Sequence, residues 1–110
     1  MENAHHLMLI NTHLTCTFSR HQTVRLPYAL RKKLPFLQRE SVSVIFGDNR
    51  DEIKIVRPGP ESYHNEMSVN KNGTIRIPSE IKKFMSIKEE DELSIFLFHD
   101  HEGLVLYRSQ

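Results

Sequence analysis

Alternating apolar and polar residues predict short β-strands at two places in the chain. Cys16 and Phe18 alternate with threonine and serine, and Met67 and Val69 show a similar alternation. A period of two is typical of a strand that buries one face. Each of these segments is followed by a tight polar loop, residues 20–22 or 71–73, and then by a second short apolar stretch. The pattern therefore predicts the same strand–loop–strand order twice.

The second stretch contains the clearest repeat. Residues 23–27 read Thr-Val-Arg-Leu-Pro, and residues 74–78 read Thr-Ile-Arg-Ile-Pro, an offset of 51. Held at that offset without a gap, the match extends from residues 15–57 to residues 66–108 and keeps apolar positions opposite apolar positions. The chain is therefore predicted to contain two copies of one unit.

Each copy continues with a short helix and two more strands. Pro27 and Pro78 suit the first position of a helix, where the missing N–H costs nothing. Apolar residues four apart then form one buried stripe per helix. These stripes are Leu30 with Leu34, where Pro35 is expected to end the helix, and Ile81 with Met85. The closing strands are predicted at residues 42–46, 53–56, 93–98 and 104–107.

The domain organisation follows from the repeat. Residues 58–65 contain two prolines and a glycine, which predict a linker. The predicted order is an N-terminal extension at 1–14, a first unit at 15–57, the linker at 58–65 and a second unit at 66–110. A unit of about 43 residues is too small for a stable core of its own, so the two are expected to share one. The sequence leaves two roles open for residues 1–14, an edge strand or a partner-binding segment.

Composition narrows the class of protein. The 110 residues carry a net charge of +1 and one cysteine, which excludes an internal disulfide. No apolar run approaches the ~20 residues of a membrane helix, and the first residues lack a basic signal region. A cytoplasmic protein without membrane association is therefore expected.

The charge is unevenly distributed. Residues 1–57 have nine basic and five acidic residues, whereas residues 58–110 have six and nine. Within residues 15–39 there are six cations and no acid, while residues 66–90 carry five cations and four acids. Such a field attracts polyanions, of which nucleic acid is the commonest. The salt dependence of binding is therefore expected to arise mainly in the first unit.

The order of elements resembles a known family. A strand, a glycine loop, a strand ending in Ile-Pro, a short basic helix and a closing hairpin are similar to the AbrB/SpoVT/MazE superfamily of swapped-hairpin proteins. Residues 69–83 and 87–93 carry this resemblance best, and the tandem copies resemble an MraZ-like arrangement. The resemblance implies an α+β, mostly β fold. In it, two tandem β-β-α-β-β units interleave as an intramolecular swapped-hairpin pseudo-dimer.

Two features of the first unit depart from the family pattern: its loop residue, and residues 37–40, which replace the usual acidic-glycine turn before the third strand. The first unit has Gln22 where the loop glycine is expected, so a positive φ there would strain the backbone. Arg25 and Arg76 stand where MazE-like antitoxins have an arginine before Ile-Pro, yet the loops have the shorter AbrB-like length. The subfamily therefore stays open.

The resemblance and the charge together predict a sequence-specific DNA-binding transcriptional regulator. The surface expected to bind duplex DNA comprises Arg20, Arg25, Arg31, Lys32, Lys33, Lys71, Arg76, Lys82 and Lys83. The alternative without a binding function is a solvated face whose cations form salt bridges with Glu80, Glu89 or Glu90. The competing function is a protein-binding module, either a MazE-like antitoxin or an inhibitor of a related regulator. Assembly into a homo-oligomer is left open.

Catalytic and metal chemistry is not expected. No nucleophile–base arrangement stands out, and no cofactor is implied. The histidines at 5–6, 99 and 101 lack the spacing of a ligand frame, and the last two fall in a predicted turn. Cys16 shares a face with Phe18 and is expected to be a core residue rather than a reactive thiol.

Overall fold

The computed structural model describes residues 9–38, 41–59 and 66–109, which form a mostly β protein with two short α-helices. The first half of the chain contributes β1 (Leu9–Thr17), β2 (Thr23–Arg25), α1 (Tyr28–Arg31), a 3-10 helix (Pro35–Gln38), β3 (Ser41–Phe46) and β4 (Glu52–Val56). The second half contributes β5 (Glu66–Ser68), β6 (Thr74–Arg76), α2 (Ser79–Met85), β7 (Glu92–Phe98) and β8 (Gly103–Arg108). The predicted α+β, mostly β class is confirmed. Linker residues 60–65 lie outside the described ranges.

Strands of the two halves pair with each other. Six strands form one antiparallel sheet in the order β1-β7-β8-β4-β3-β5, and β2 pairs with β6 in a separate two-stranded sheet. The hairpins β3–β4 and β7–β8 meet at the centre of the large sheet through β4 and β8. The first strand of each half pairs with the hairpin of the other half, β1 with β7 and β5 with β3.

The registers of these pairs preserve the offset of the repeat. Cys16 lies opposite Leu93, and Met67, 51 residues after Cys16, lies opposite Val42, 51 residues before Leu93. The β3–β4 and β7–β8 hairpins correspond in the same way. Because a slip of one residue would turn a strand's apolar side chains to the wrong face, equal apolar patterns specify equal registers.

One apolar core draws on both halves. Phe18, Leu26 and Leu34 from the first half and Ile77 from the second are almost fully buried in it. Most of the apolar pairs expected from the repeat are buried, and Met67 and Val69 pack against the core while half-buried. Both predicted helix stripes lie in this core, Leu30 with Leu34 and Ile81 with Met85.

Each helix begins one residue later than predicted. Pro27 and Pro78 occupy the N-cap positions, with φ of −58° and −56° and extended ψ, so they lie just before the first helical turn. No helix within the described ranges is long and apolar enough to cross a membrane.

The helix α1 stops well before Pro35. It ends at Arg31, and Pro35 begins a 3-10 helix instead of terminating the α-helix. Pro35 has no N–H to donate to the carbonyl of Arg31, and its ring disfavours α conformation at Leu34. The helix therefore finishes a turn earlier than its apolar stripe suggests.

The strand β1 begins inside the predicted N-terminal extension. Its register against β7 shifts between Asn11 and Leu14, where His13 has a φ of 62°. The Thr12 hydroxyl donates to the carbonyl oxygen of Ile95 at 2.7 Å across this bulge. Residues 9–14 thus lie in an edge strand, one of the two roles left open by the sequence; residues 1–8 lie outside the described ranges.

Arg108, at the end of the second half, connects β8 to the hairpin turn of the first half. Its Nη2 contacts Asp51 Oδ1 at 2.9 Å, and its Nη1 lies 3.7 Å from Asp91 Oδ2. The backbone N–H of Arg108 donates to the carbonyl oxygen of Asp51 at 2.9 Å. Because Asp51 belongs to the turn of the first hairpin, these bonds add a polar connection where β4 and β8 meet.

Candidate functional site

The two-stranded sheet carries two arginines on its exposed face. Arg25 and Arg76 are exposed, whereas Val24 and Ile75 of the same strands are buried beneath them. The antiparallel register sets each arginine opposite a threonine of the other strand. The two-residue period of a strand thus directs both arginines outward, as the sequence predicts.

The loops before these strands each support the opposite half. Gln22 and Gly73, which correspond at the 51-residue offset, have φ of 65° and 85°. The N–H of Ile77 donates to the carbonyl oxygen of Gln22 at 2.9 Å, and the N–H of Leu26 donates to that of Gly73 at 3.0 Å. Each loop thereby joins the end of the other half's strand. Gln22 thus adopts a positive φ although it has a side chain, a conformation that is uncommon outside glycine.

Arg31 lies across the loop of the second half. Its Nε donates to the carbonyl oxygen of Leu26, and its Nη1 donates to that of Lys71, both at 3.1 Å. Its guanidinium also lies 5.4 Å from the centre of the Tyr28 ring, where Lys32 Nζ approaches to 5.7 Å. Arg31 is therefore half-buried and bonded within the protein.

Gln22 makes the corresponding contact in the other half. Its side-chain Nε2 donates to the carbonyl oxygen of Ile77 at 2.7 Å and to Ser79 Oγ at 3.1 Å. These bonds join the first loop to the start of α2. They stabilise a residue whose backbone conformation otherwise favours glycine.

A first groove runs beside α1. We call it the Lys71 groove; its lining includes Tyr28, Arg31 and Lys32 of the first half together with Asn70 and Lys71 of the second. Tyr28 is 67% exposed there. Among the residues that the structure describes, the charged side chains of this lining are all cationic.

A second groove lies beside α2. We call it the Arg20 groove; its lining includes Ser19 and Arg20 of the first half together with Lys82, Lys88 and Glu89 of the second. At the offset of 51, Arg20 corresponds to Lys71 and Lys82 to Arg31. The two grooves therefore lie at corresponding positions of the repeat, and each combines a loop of one half with the helix region of the other.

The nine predicted cations define the candidate surface; they lie on the two-stranded sheet, in the loops before its strands, and in or just after α1 and α2. Arg20, Arg25, Lys32, Lys33, Lys71, Arg76 and Lys83 are exposed, while Arg31 and Lys82 are half-buried. Lys33 and Lys83 line neither groove. Within the described part of the chain, none of the nine predicted cations forms a salt bridge with a carboxylate. The alternative, in which these cations form salt bridges with Glu80, Glu89 or Glu90, is therefore not observed in this structure.

The sequence reasoning missed three residues of this surface. Lys88 lines the Arg20 groove, and Tyr28 lies against two cations of the Lys71 groove. Tyr28 precedes Leu30 by two residues, or about 200° around a helix, so the helical period could have placed it outside the buried stripe. The amide bonds of Gln22 have no such signal, because they depend on residues more than fifty positions away.

Metal-binding side chains are dispersed in the residues that the structure describes. His99 and His101 are exposed in the turn between β7 and β8, as predicted. Over residues 9–38, 41–59 and 66–109, no group of three or more His, Cys, Asp or Glu side chains is arranged to hold a metal ion. The pair at positions 5–6 lies outside these ranges.

Cys16 is a buried core residue and gives a pH-dependent prediction. Burial, with a smaller effect from the carboxylate of Glu92, raises the pKa of its thiol from 9.0 to about 12. Above pH 9 the unfolded thiol ionises while the native thiol stays protonated, so the native state binds more protons. The free energy of unfolding should therefore fall with rising pH, by up to about 1.4 kcal/mol per pH unit from this group.

Denaturant unfolding between about pH 8 and pH 10 measures this effect. The Cys16→Ala variant is the control, because it retains every other titrating group and lacks the thiol. We expect its free energy of unfolding to decline less steeply than that of the unchanged protein. Equal slopes for the two proteins would contradict the assigned pKa.

Comparison with known proteins adds no relative. No protein-family model matches the chain, and no curated protein matches its sequence.

Proposed function

We propose that the protein is a sequence-specific DNA-binding transcriptional regulator, built from two tandem AbrB/SpoVT/MazE-like units that form one swapped-hairpin pseudo-dimer. The strand pairings support the pseudo-dimer. β1 pairs with β7 and β5 with β3, so each half lends its first strand to the hairpin of the other. The shared offset of these registers is what two interleaved copies of one unit would produce.

The observation that carries the proposal is the exposed pair Arg25 and Arg76 on a two-stranded sheet whose preceding loops contribute Arg20 and Lys71 to the two grooves. Arginine side chains can contact phosphates and can also form paired hydrogen bonds with guanine in the major groove. A two-stranded β-ribbon is narrow enough to enter that groove. The flanking lysines and arginines lack competing carboxylate partners among the described residues, and this leaves their charge available to the DNA backbone.

Replacement of the two central arginines tests the proposal. Arg25→Ala and Arg76→Ala should each weaken binding to the protein's own promoter DNA by about 1–3 kcal/mol, because each removes a base-edge contact. Gel-shift titrations at one fixed salt concentration measure the loss. Both variants should keep the native thermal unfolding midpoint, since both side chains lie on the surface.

Arg57→Ala is the matched control. Arg57 is an equally charged, exposed residue that lines neither groove, and its partner is Glu102 in the β7–β8 turn. Its replacement should change affinity much less than either test variant. Failure of the unchanged protein to bind any duplex, or normal binding by both arginine variants, would refute the proposed reading surface.

A further inference from the structure

The two ends of the proposed binding surface differ chemically although their backbones correspond. The carbonyl oxygen of Leu26 accepts a hydrogen bond from Arg31, and the corresponding carbonyl of Ile77 accepts one from Gln22. Lys82 occupies the position that corresponds to Arg31, but its side chain makes no hydrogen bond or ion pair among the described residues. The carbonyl before the proline thus accepts its hydrogen bond from a helix residue at one end and from a loop residue at the other.

The identity of one loop residue explains this difference. Gly73 has no side chain, and a Cβ built there would lie 2.4 Å from Nε of Arg31. The guanidinium therefore fills the space that a side chain at position 73 would need. At the other end Gln22 has a side chain, and its own amide reaches the carbonyl of Ile77. The ammonium group of Lys82 consequently has no such carbonyl partner among the described residues.

The central arginines are also unequal. Arg25 Nε donates to the carbonyl oxygen of Asn72 at 3.2 Å, which ties this side chain to the loop of the other half. For Arg76 no corresponding bond to a carbonyl is formed within the described residues. One arginine is thus held in place beside the Lys71 groove, and the other is free to adapt.

We propose that the protein binds a non-palindromic DNA site in one fixed orientation, and that Gln22 and Arg31 are the residues that make its two ends different. This inference rests on the proposed function. A protein with two identical ends would bind a DNA site equally well after rotation by 180°, so its preferred site would be palindromic. Here each end offers different donors to the bases and phosphates.

The expected orientation preference is measurable. One mismatched base contact lowers affinity by about 5- to 150-fold. A site matched to the two ends in one orientation loses such contacts when the protein is reversed. We therefore expect the protein to occupy one orientation at least about ten times more often than the other. This holds even if the two ends of the protein differ in the recognition of only one base pair.

Selection from a pool of random duplexes separates this inference from the function it rests on. Enrichment of an asymmetric sequence supports both. A palindromic sequence would leave the DNA-binding function standing and overturn the fixed orientation. Absence of any enriched sequence would instead refute sequence-specific DNA binding itself.

Tethered cleavage tests the orientation directly on the selected site. Ala29 and Glu80 are exposed, correspond at the 51-residue offset and lie on α1 and α2. In a Cys16→Ala background, an iron–EDTA group is attached through Ala29→Cys in one protein and Glu80→Cys in another. Each tether should cut mainly one end of the site, and the two should cut opposite ends. Equal cutting of both ends by each tether would overturn the proposal.

A symmetrised variant tests the named residues. Gln22→Gly with Lys82→Arg removes the amide and supplies a guanidinium where the second half has lysine. We expect the preference between the two orientations to fall by at least about threefold, as measured with the same tethers. Arg57→Ala, a charge change at a residue that lines neither groove, is the control and should leave the orientation preference in place. An unchanged preference in a symmetrised variant with native circular dichroism would contradict the roles of Gln22 and Arg31.

Discussion

Residues 1–60 and 61–110, produced as separate chains, are expected to be largely unfolded or self-associated. Separation deprives β1 of β7, β5 of β3 and β2 of β6, so each chain loses pairing partners for its first two strands. It also exposes the shared core, to which both halves contribute fully buried side chains. A chain of about 50 residues with an open core lacks the burial needed for independent stability.

Circular dichroism and analytical ultracentrifugation of the two chains measure this outcome. The intact protein should unfold in one cooperative transition, and an equimolar mixture of the two chains should recover native-like β signal. Two monomeric halves that each melt cooperatively would show that the cross-half pairings are dispensable. That result would remove the structural support for a pseudo-dimer.

Ile75→Ala is expected to destabilise the protein by about 2–5 kcal/mol. Ile75 is fully buried in β6 and lies opposite Val24 of β2, at the centre of the pairing between the two halves. Its truncation removes apolar contacts and leaves a cavity that neighbours from both halves can fill only partly. Because natural domains have only about 5–15 kcal/mol of stability, a loss of this size is large.

Thr74→Ala is the matched control. Thr74 is the neighbouring residue, is half-buried and points to the opposite face of the strand. Denaturant unfolding should give a loss of less than about 1 kcal/mol for this variant. If Ile75→Ala were no more destabilising than Thr74→Ala, the two-stranded sheet would not be part of the common core.

Part of the candidate site could be predicted from short-range pattern. The alternation in residues 23–26 and 74–77 requires Arg25 and Arg76 to point away from the buried side chains, and both are exposed. The alignment of Gln22 with the loop glycine Gly73 marked a position where a positive φ would be strained, and its φ is 65°. These outcomes depend on steric rules that act within a few residues. They need no knowledge of the remaining chain.

The division of charge by unit, in contrast, does not describe the grooves. The sequence places Arg20, Arg31 and Lys32 together in a basic first unit, whereas the structure divides them between two grooves. Each groove takes its loop from one half and its helix from the other, because the halves exchange strands. The expectation that the first unit dominates the salt dependence of binding stays a prediction.

The sequence by itself determined that each half contains short strands and one short helix, which apolar residues form the core, and that the central arginines point outward. All of these follow from local periodicity and from backbone sterics. Only the tertiary structure decided that Arg31 bonds the carbonyl of Leu26 while Gln22 bonds that of Ile77. Those contacts depend on which loop packs against which helix, and the space above Gly73 is defined by a side chain from the other half. Packing between distant segments thus made the two similar units unequal.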